Sequence, residues 1–494
     1  MRAFLFPLRP DVKEPLQLQL RRSVIQAIRD GRLRPGERMP SVRTLAERLG
    51  IARNTVVLAY RTLAVQGYLE RRERSGHYVS ADQPGEAPTR PFVGRRPRGV
   101  APDWPSRLAV RASGLMRLGP PRGWARYPYP FVYGQADPKL FPLAEWRECS
   151  RMALGRQPVD EWSPDSGGDD DPQLIDQIRR QVLPGRGISA TADEILITVG
   201  AQHALFLIAS LLFTEATPVG VEEPGYSDAR TIFALRTRRL KPLPVDDHGL
   251  IVDRAMDTCR YVYVTPSHQA PTTVTMTLDR RVALLERAAA RDVVVIEDDY
   301  ERDTSHFQTP IPSLRSLDRS SRVIYVGSFS RALGPGLRVG YIVAPFRVAN
   351  ELRLLRHVVL RHPPNNNQRT LALFIEHGHL DALLARVRRV YRRRWEVAGA
   401  AIGRYLPTFQ PKPNFGGAAY WLEGPHALDT TALAADALKR GVIVDPGAPR
   451  FLAADPPRNS LRIGFGAIAE EKIEPGIKIL GDVLRRRLAR NNAI

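Results

Sequence analysis

Apolar and polar positions in the first 80 residues predict three short helices followed by a two-stranded hairpin. Apolar residues recur every four positions on one face of the first helix: Leu16, Leu20, Val24 and Ile28. Ser41 opens a second helix that Gly50 closes, and a third helix runs over 53–67. Two short strands then flank a turn at Gly76. The pattern indicates one compact unit, residues 12–80.

Residues 81–128 lack this periodicity and are instead rich in proline and arginine. Prolines recur at positions 84, 88, 91, 97, 102, 105, 120 and 121. Such a composition buries little apolar surface, so it predicts a semi-extended linker. An irregular subdomain is the alternative.

From residue 129 to the end, short apolar runs alternate with helical stretches. The runs are bounded by glycine, proline or polar residues and lie at 195–199, 219–222, 261–265, 293–296, 323–326 and 339–343. Continuous apolar strands separated by helices predict an α/β fold with a mostly parallel sheet. Two basic stretches, 386–395 and 484–490, are interpreted as solvated helix faces, with contacts to a DNA backbone as the alternative.

Overall composition changes this picture little, whereas charge adds a candidate partner. Hydrophobic residues make up 43% and charged residues 25% of the 494 positions, which is ordinary for a folded chain of more than one domain. The formal net charge of +21 attracts polyanions such as nucleic acid. Only seven of the 73 basic residues are lysine, so a coding bias towards arginine explains the excess equally well.

The cysteines and the apolar runs indicate in which cellular compartment the protein is expected. Cys149 and Cys259 lie far apart in the sequence, and two cysteines alone form neither a disulfide framework nor a zinc cluster. No apolar run approaches the length of a membrane span, and the first residues lack a secretory leader pattern. We therefore expect a cytoplasmic protein without a membrane partner or a metal.

The second and third predicted helices are joined by a tight turn at 50–52, as a helix-turn-helix requires. At the start of the third helix, Arg53 suits guanine, Asn54 suits adenine, and Thr55 suits a phosphate or a thymine methyl. Neighbouring positions are expected to hold the DNA backbone or the minor groove: Ser41, Arg43, Arg71, Arg72, Arg74 and Gly76. The pattern predicts a winged helix-turn-helix that binds double-stranded DNA.

The stretch GRLRPGERMPSVRTLAERLGIARNTVVLAYRTLAVQGYLERRERSGHYV resembles the GntR-type winged helix over the whole unit. One departure is Ala52, where that family usually has serine. Alanine cannot cap the third helix, which costs roughly 1 kcal/mol. A winged helix used only for protein contacts is the alternative.

Six motifs lie in order along the larger region. They are Gly200-Ala201-Gln202, Glu223-Pro224-Gly225-Tyr226, TPSHQ at 265–269, VVVIEDDY at 293–300, VIYVGSFSRALGPGLRVGYIVAP at 323–345, and LRIGF at 461–465. In this order they resemble the fold-type I aminotransferases, which bind pyridoxal phosphate. The resemblance implies that fold for residues 129–494, including a smaller C-terminal α/β subdomain.

The resemblance also implies a role for each pocket residue. The phosphate would be held by Gly200, Ala201 and Gln202 at a helix N-terminus, and by Ser328, Ser330 and Arg338. Tyr226 would stack on the cofactor ring, Asp298 would keep the ring nitrogen protonated, and Tyr300 would reach the ring oxygen. Arg462 would clamp the carboxylate of a ligand.

A GntR-type head joined to this region is the arrangement of the MocR regulators. That resemblance covers nearly the whole chain. It implies a homodimer that senses a small-molecule effector through pyridoxal phosphate and controls transcription.

The pattern breaks at Arg331, which stands where the family has its Schiff-base lysine. A guanidinium stays protonated and cannot attach the cofactor covalently. The pocket is therefore expected to bind pyridoxal phosphate non-covalently or another phosphorylated ligand, with Arg331 adding a charge. A ligand-free dimerisation scaffold is one alternative, and a pyridoxal-phosphate-dependent aminotransferase with an accessory DNA-binding head is another.

Two smaller departures lie near the expected pocket. Pro271-Thr272-Thr273 has threonine where the family usually has glycine, and the acidic stretch 165–171 falls in a region that normally lines the site entrance.

Overall fold

The computed structural model describes residues 6–9, 11–73, 75–82, 102–110, 119–165, 167–301, 311–413 and 416–491. Arg74 and most of the expected linker lie outside the described residues. The chain divides into two compact units, residues 1–109 and 110–494.

The first unit contains the three helices and the hairpin expected from the sequence. Its elements are α1 (Leu16–Arg29), α2 (Val42–Leu49), α3 (Arg53–Val65), β1 (Leu69–Arg72), β2 (Gly76–Val79) and α4 (Trp104–Arg107). The apolar face of α1 packs on α3, and Leu20, Val24 and Leu63 are fully buried between them. Strands β1 and β2 are antiparallel, with Arg72 opposite Gly76.

The strands of the second unit include all six apolar runs. They are β3 (Tyr129–Pro130), β4 (Ile195–Thr198), β5 (Pro218–Glu223), β6 (Arg239–Asp246), β7 (Gly249–Leu250), β8 (Tyr261–Val264), β9 (Val294–Asp298), β10 (Val323–Ser328), β11 (Gly340–Val343), β12 (Gln410–Pro411), β13 (Ala419–Glu423), β14 (Val442–Ile443), β15 (Asp445–Pro446) and β16 (Ser460–Gly464).

Helices separate and cover these strands. They are α5 (Leu143–Ala153), α6 (Arg156–Trp162), α7 (Pro172–Gln177), α8 (Ala201–Leu212), α9 (Ser227–Ala234), α10 (Leu278–Ala290), α11 (Leu314–Leu317), α12 (Ser330–Leu333), α13 (Phe346–Leu360), α14 (Asn365–Glu376), α15 (His379–Tyr405), α16 (Thr430–Leu438) and α17 (Glu470–Asn491). Short 3-10 turns lie at Trp124–Arg126, Pro138–Leu140, Pro184–Arg186, Ala192–Glu194, Arg254–Thr258, Pro335–Leu337 and Ala448–Arg450, and a π-helical turn at Ile178–Val182. No described helix is both long and apolar enough to cross a membrane.

The main sheet has eight strands in the order β4-β11-β10-β9-β8-β5-β6-β7. Neighbours from β10 to β6 run parallel, whereas β11 is antiparallel to both of its neighbours and β7 is antiparallel to β6. This confirms the mostly parallel sheet. Its central strands are buried on both faces, because helices cover each side.

The C-terminal part forms the smaller α/β subdomain expected from the resemblance. An antiparallel sheet in the order β12-β13-β16-β15 packs with α15, α16 and α17 around a separate apolar core. The two basic stretches lie within α15 and α17. Strand β3 pairs in parallel with β14, so the start of the unit is tied to this subdomain.

Candidate functional sites

The first turn of α3 presents the residues expected to read bases. Arg53 and Asn54 are exposed and Thr55 is half-buried, while Val56 and Ala59 in the next turn are fully buried. Among the residues that the structure describes, Arg53 has no ion-pair partner. The helix therefore shows a polar, cationic end to solvent, as contact with base edges requires.

The neighbouring residues of the first unit divide into capping and exposed cationic groups. The Ser41 hydroxyl accepts a hydrogen bond from the Thr44 amide at 3.1 Å and so caps α2. Exposed Arg43 pairs with Glu47 at 2.9 Å. At the wing, Arg72 pairs with Glu70 and stacks 4.4 Å from the centre of the Tyr78 ring.

Arg71 is the wing cation that lacks an ion-pair partner within the described part of the chain. It is exposed on β1, next to the turn that Gly76 closes with a φ of 110°. An L-residue with a side chain rarely adopts that φ, so glycine allows the tight turn of the wing.

The second unit contains a cavity of about 500 Å³ beside the carboxyl ends of the parallel strands. This is the edge at which ligands bind in open α/β sheets. Ten of the eleven residues expected in the pocket line it: Ala201, Gln202, Tyr226, Asp298, Tyr300, Ser328, Ser330, Arg331, Arg338 and Arg462. Segments distant in sequence therefore converge on one cavity.

Gly200 is the eleventh residue, and it lies directly behind the lining. It precedes α8 with a φ of 80°, and a Cβ there would lie 3.0 Å from the Arg338 guanidinium. Arg338 donates to the Val199 carbonyl at 2.9 Å, which holds the guanidinium against the start of α8.

Two serines complete this end of the cavity. The Ser330 amide donates to the Ser328 hydroxyl at 3.2 Å. The Ser330 hydroxyl oxygen is buried without a hydrogen-bond partner among the described residues. A helix N-terminus, a guanidinium and hydroxyls fit a phosphate.

Asp298, the last residue of β9, lies in another part of the cavity. Its Oδ2 accepts a hydrogen bond from the Tyr263 hydroxyl at 2.8 Å, while its buried Oδ1 has no partner among the described residues. Burial raises the pKa of this carboxyl to about 7, although donation from Tyr263 opposes the rise. An unpartnered buried carboxyl oxygen fits the nitrogen of a pyridine ring.

Tyr226 and Gln202 line the same part of the cavity. The Tyr226 hydroxyl donates to Asp228 at 3.2 Å, and the Gln202 amide donates to the same carboxylate oxygen at 2.7 Å. Asp228 therefore holds both side chains in place.

Arg331, the second residue of α12, lies against two aromatic rings. Its guanidinium carbon is 4.2 Å from the centre of the Tyr133 ring and 5.3 Å from that of Tyr300. Burial alone would lower the pKa of Arg331, but Tyr133, Glu301 and Tyr300 outweigh it and raise the pKa above its ordinary value. The cation is thus fixed in the cavity wall.

Glu301 supplies the negative charge of this cluster. It accepts a hydrogen bond from the Tyr133 hydroxyl and lies 3.3 Å from the His268 Nε2. Burial favours its neutral form, but His268 and Arg331 hold the pKa of Glu301 below its ordinary value. The carboxylate therefore remains a counter-ion for Arg331.

Arg462, expected to clamp a ligand carboxylate, is already paired within the chain. Its Nε and Nη2 donate to Asp445 at 3.0 and 2.5 Å, and Arg450 donates to the same oxygen at 2.9 Å. Arg462 also stacks 4.0 Å from the centre of the Tyr133 ring, so that this ring contacts both Arg462 and Arg331. A ligand carboxylate would share Arg462 with Asp445.

The two smaller departures from the family pattern have different structural outcomes. Thr273 adopts a φ of 68°, which explains why glycine is usual there. In the acidic stretch, Asp170 pairs with Arg356 at 2.6 Å and Asp171 with Arg369 at 2.8 Å, and all four side chains are buried. The cavity is lined by other residues, so these two carboxylates hold the fold together instead.

The sequence did not indicate Tyr133 and Asp445, which line the cavity, or Glu301, which accepts a hydrogen bond from Tyr133. Tyr133 lies just after β3 and Asp445 begins β15, and neither follows one of the apolar runs. Glu301 adjoins the VVVIEDDY motif, so its position beside the expected Asp298 and Tyr300 was the available signal.

Comparison with known proteins assigns a family to each of the two units. Residues 16–79 match the family described as bacterial regulatory proteins, gntR family, and residues 168–480 match aminotransferase class I and II. The chain is 44% identical to the HTH-type transcriptional regulator TauR of Rhodobacter capsulatus, over 97% of this chain and 99% of that one. It is 31% identical to the "Probable rhizopine catabolism regulatory protein MocR" of Rhizobium meliloti, over 95% of this chain and 94% of that one.

One solved structure with this fold is LysN, the alpha-aminoadipate aminotransferase of Thermus thermophilus, complexed with N-(5'-phosphopyridoxyl)-L-leucine. The TM-score is 0.70 at 30% identity, covering 78% of this chain and 99% of that one.

Proposed function

Because the chain belongs to the MocR type of GntR transcription regulators, we propose that it binds operator DNA sequence-specifically through residues 12–80. The observation that supports this proposal is the exposure of Arg53 and Asn54 in the first turn of α3. The other face of this helix is buried in the core of the first unit. Arg53 would read guanine and Asn54 adenine in the major groove. Thr55, Ser41 and Arg43 would contact phosphates, as would the wing at Arg71, Arg72 and Gly76.

This DNA-binding proposal is tested with an operator selected from random duplexes and measured by fluorescence anisotropy. Arg53→Ala and Asn54→Ala should each weaken specific binding by about 1–3 kcal/mol and relax the preference at one base pair. Arg22→Ala is the matched control, because Arg22 is exposed on α1 and paired with Glu14. Equal affinity of all variants for operator and random duplex would contradict the proposal.

The aminotransferase-like region, residues 129–494, is proposed to be a sensor that holds pyridoxal phosphate or a related phosphorylated ligand without a covalent bond. Ser328, Ser330, Arg338 and the start of α8 would hold the phosphate, and the unpartnered Oδ1 of Asp298 would face the ring nitrogen. Tyr226 would stack on the ring and Tyr300 would reach its oxygen. When bound, the cofactor supplies an aldehyde that reacts with amines.

The sensor is proposed to be inactive as an aminotransferase because of Arg331. This guanidinium stacks on Tyr133 and Tyr300 and is held charged by Glu301, so it cannot act as an amine nucleophile. An aminotransferase with an accessory head is less consistent with this pocket. In addition, the two transcription regulators compared above align with 97% and 95% of this chain, including the DNA-binding head.

The pocket proposal is tested by absorbance titration of the full chain with pyridoxal phosphate. Binding should be reversible on dialysis in the wild type and should weaken in Asp298→Ala. In Arg331→Lys, borohydride reduction should trap the cofactor covalently, as mass spectrometry would show. A wild type that neither binds the cofactor nor changes its DNA affinity in its presence would instead favour a dimerisation scaffold.

The remaining parts of the proposal follow from the family. Two copies of the chain would form a homodimer, so that two heads engage the two halves of an operator. The protein would act in the cytoplasm, where DNA and phosphorylated cofactors are both accessible, and would respond to a small-molecule effector.

A further inference from the structure

Outside both sites, a buried cysteine meets two histidines. Cys149 on α5 is fully buried, His377 directly follows α14, and His379 begins α15. One ligand atom from each residue, the Cys149 sulfur and one ring nitrogen per histidine, lies within 4.8 Å of the other two. None of the three residues lines the cofactor cavity.

The local packing holds this group together. Helices α5 and α14 pack against each other, and Gly378, with a φ of 74°, turns the chain so that both histidines face the same place. The His379 ring lies 5.4 Å from the Phe374 ring and 5.8 Å from the His377 ring, measured between centres. The buried Nε2 of His379 has no hydrogen-bond partner among the described residues.

A thiolate and two imidazoles select soft or borderline transition metals over magnesium and calcium. Three protein ligands with water in the fourth position are also the coordination of zinc sites that stay open to solvent. His377 is exposed, so an ion can reach the buried sulfur from solvent on that side.

We propose that Cys149, His377 and His379 bind one zinc-class divalent ion, which fastens α5 to the turn between α14 and α15. The ion would supply the partner that His379 Nε2 lacks. The two cysteines of the chain could not form such a site by themselves. In the folded chain, two histidines from a distant segment lie beside one of these cysteines, Cys149.

The test uses full-length, tag-free protein stripped of metal and reloaded with zinc or cobalt. Wild type should retain one zinc per chain after dialysis, as elemental analysis would show. Its cobalt form should show the near-ultraviolet charge-transfer band of a thiolate ligand. Cys149→Ser should lose that band, and His379→Ala and His377→Ala should each weaken zinc binding at least tenfold.

Matched controls are Cys259→Ser, which removes the other buried cysteine, and exposed His248→Ala, and both should bind like wild type. Because Cys149→Ser can destabilise the fold, His379→Gln serves as a second variant: zinc should raise the melting temperature of wild type and of both controls, but not that of His379→Gln. Zinc retention well below one equivalent in wild type, or a cobalt thiolate band that persists in Cys149→Ser, would overturn the proposal.

Discussion

At the scale of single residues, Val57 would add an apolar base contact to those proposed for Arg53 and Asn54. It lies one turn after Arg53 and one turn before Arg61 on the exposed side of the helix, and it is 44% exposed. An apolar side chain in the major groove recognises the 5-methyl group of thymine. Replacing that thymine by uracil removes one methyl, worth about 0.8 kcal/mol or roughly fourfold in affinity.

We therefore expect one thymine-to-uracil exchange in the selected operator to weaken binding by wild type but not by Val57→Ala. Anisotropy titrations of each single exchange measure this. Val65→Ala is the control, since Val65 is 83% exposed at the far end of α3 and should keep the wild-type pattern. If Val57→Ala and wild type respond alike to every exchange, Val57 reads no methyl.

Asp298 connects the cavity of the second unit with the pH dependence of stability. Its pKa is about 7 in the folded chain against an ordinary value of 3.8. The folded state therefore keeps a proton that the unfolded state loses, and stability from this group falls as pH rises between those values. Asp298→Asn has no carboxyl group to titrate, so its stability does not fall in this way. As pH rises between these two pKa values, the unfolding free energy of Asp298→Asn minus that of wild type should increase by about 1.4 kcal/mol per pH unit.

Calorimetry of the ligand-free chain between pH 4 and 8.5 measures this difference, which should level off above pH 7. Tyr263→Phe provides a companion test. The Tyr263 hydroxyl donates to Asp298 and lowers the pKa of its carboxyl. In the Tyr263→Phe background, the stability difference caused by Asp298→Asn should therefore level off at a higher pH. A difference that stays flat from pH 4 to 7 would show that Asp298 is ionised throughout.

At the scale of elements, the two helices of the helix-turn-helix begin differently. Ser41 caps α2 through the Thr44 amide, whereas Ala52 precedes α3 without a side-chain cap. Ala52→Ser should stabilise the start of α3 by about 1 kcal/mol, and Ser41→Ala should destabilise α2 by a similar amount. Hydrogen exchange of the Asn54 and Thr55 amides, followed by mass spectrometry, measures the first change, and unaltered exchange would contradict it.

Elements that depend on local pattern were predictable, and contacts between distant segments were not. The six apolar runs became strands because their side chains are buried on both faces, and five of the six motifs line the cavity, the exception being residues 265–269. Tyr133 and Asp445 reach the same cavity through the pairing of β3 with β14 and of β15 with β16, which no local pattern encodes. The left-handed Thr273 was likewise visible only as a departure from a resemblance.

At the scale of the whole molecule, a regulator must couple its ligand pocket to its DNA-binding head. Gly119, Pro120 and Pro121 line the cavity of the second unit, and they belong to the stretch 81–128 that the sequence predicts to join the head to that unit. A ligand in the cavity would therefore touch the chain segment that leads to the head. Coupling of this kind commonly changes affinity by about 5–150-fold.

If the DNA-binding and pocket proposals hold, replacing Pro120 and Pro121 together by alanine should largely preserve pyridoxal phosphate binding but reduce its effect on DNA affinity. Prolines fix the backbone φ, so alanine loosens a segment that ligand contact would otherwise position. Anisotropy titrations with and without pyridoxal phosphate measure the coupling, and absorbance titration measures cofactor binding separately. Pro102→Ala is the control, because Pro102 is exposed in the first unit and should leave the coupling intact. If pyridoxal phosphate changes the DNA affinity of the double variant as much as that of wild type, then Pro120 and Pro121 do not couple the cavity to the head.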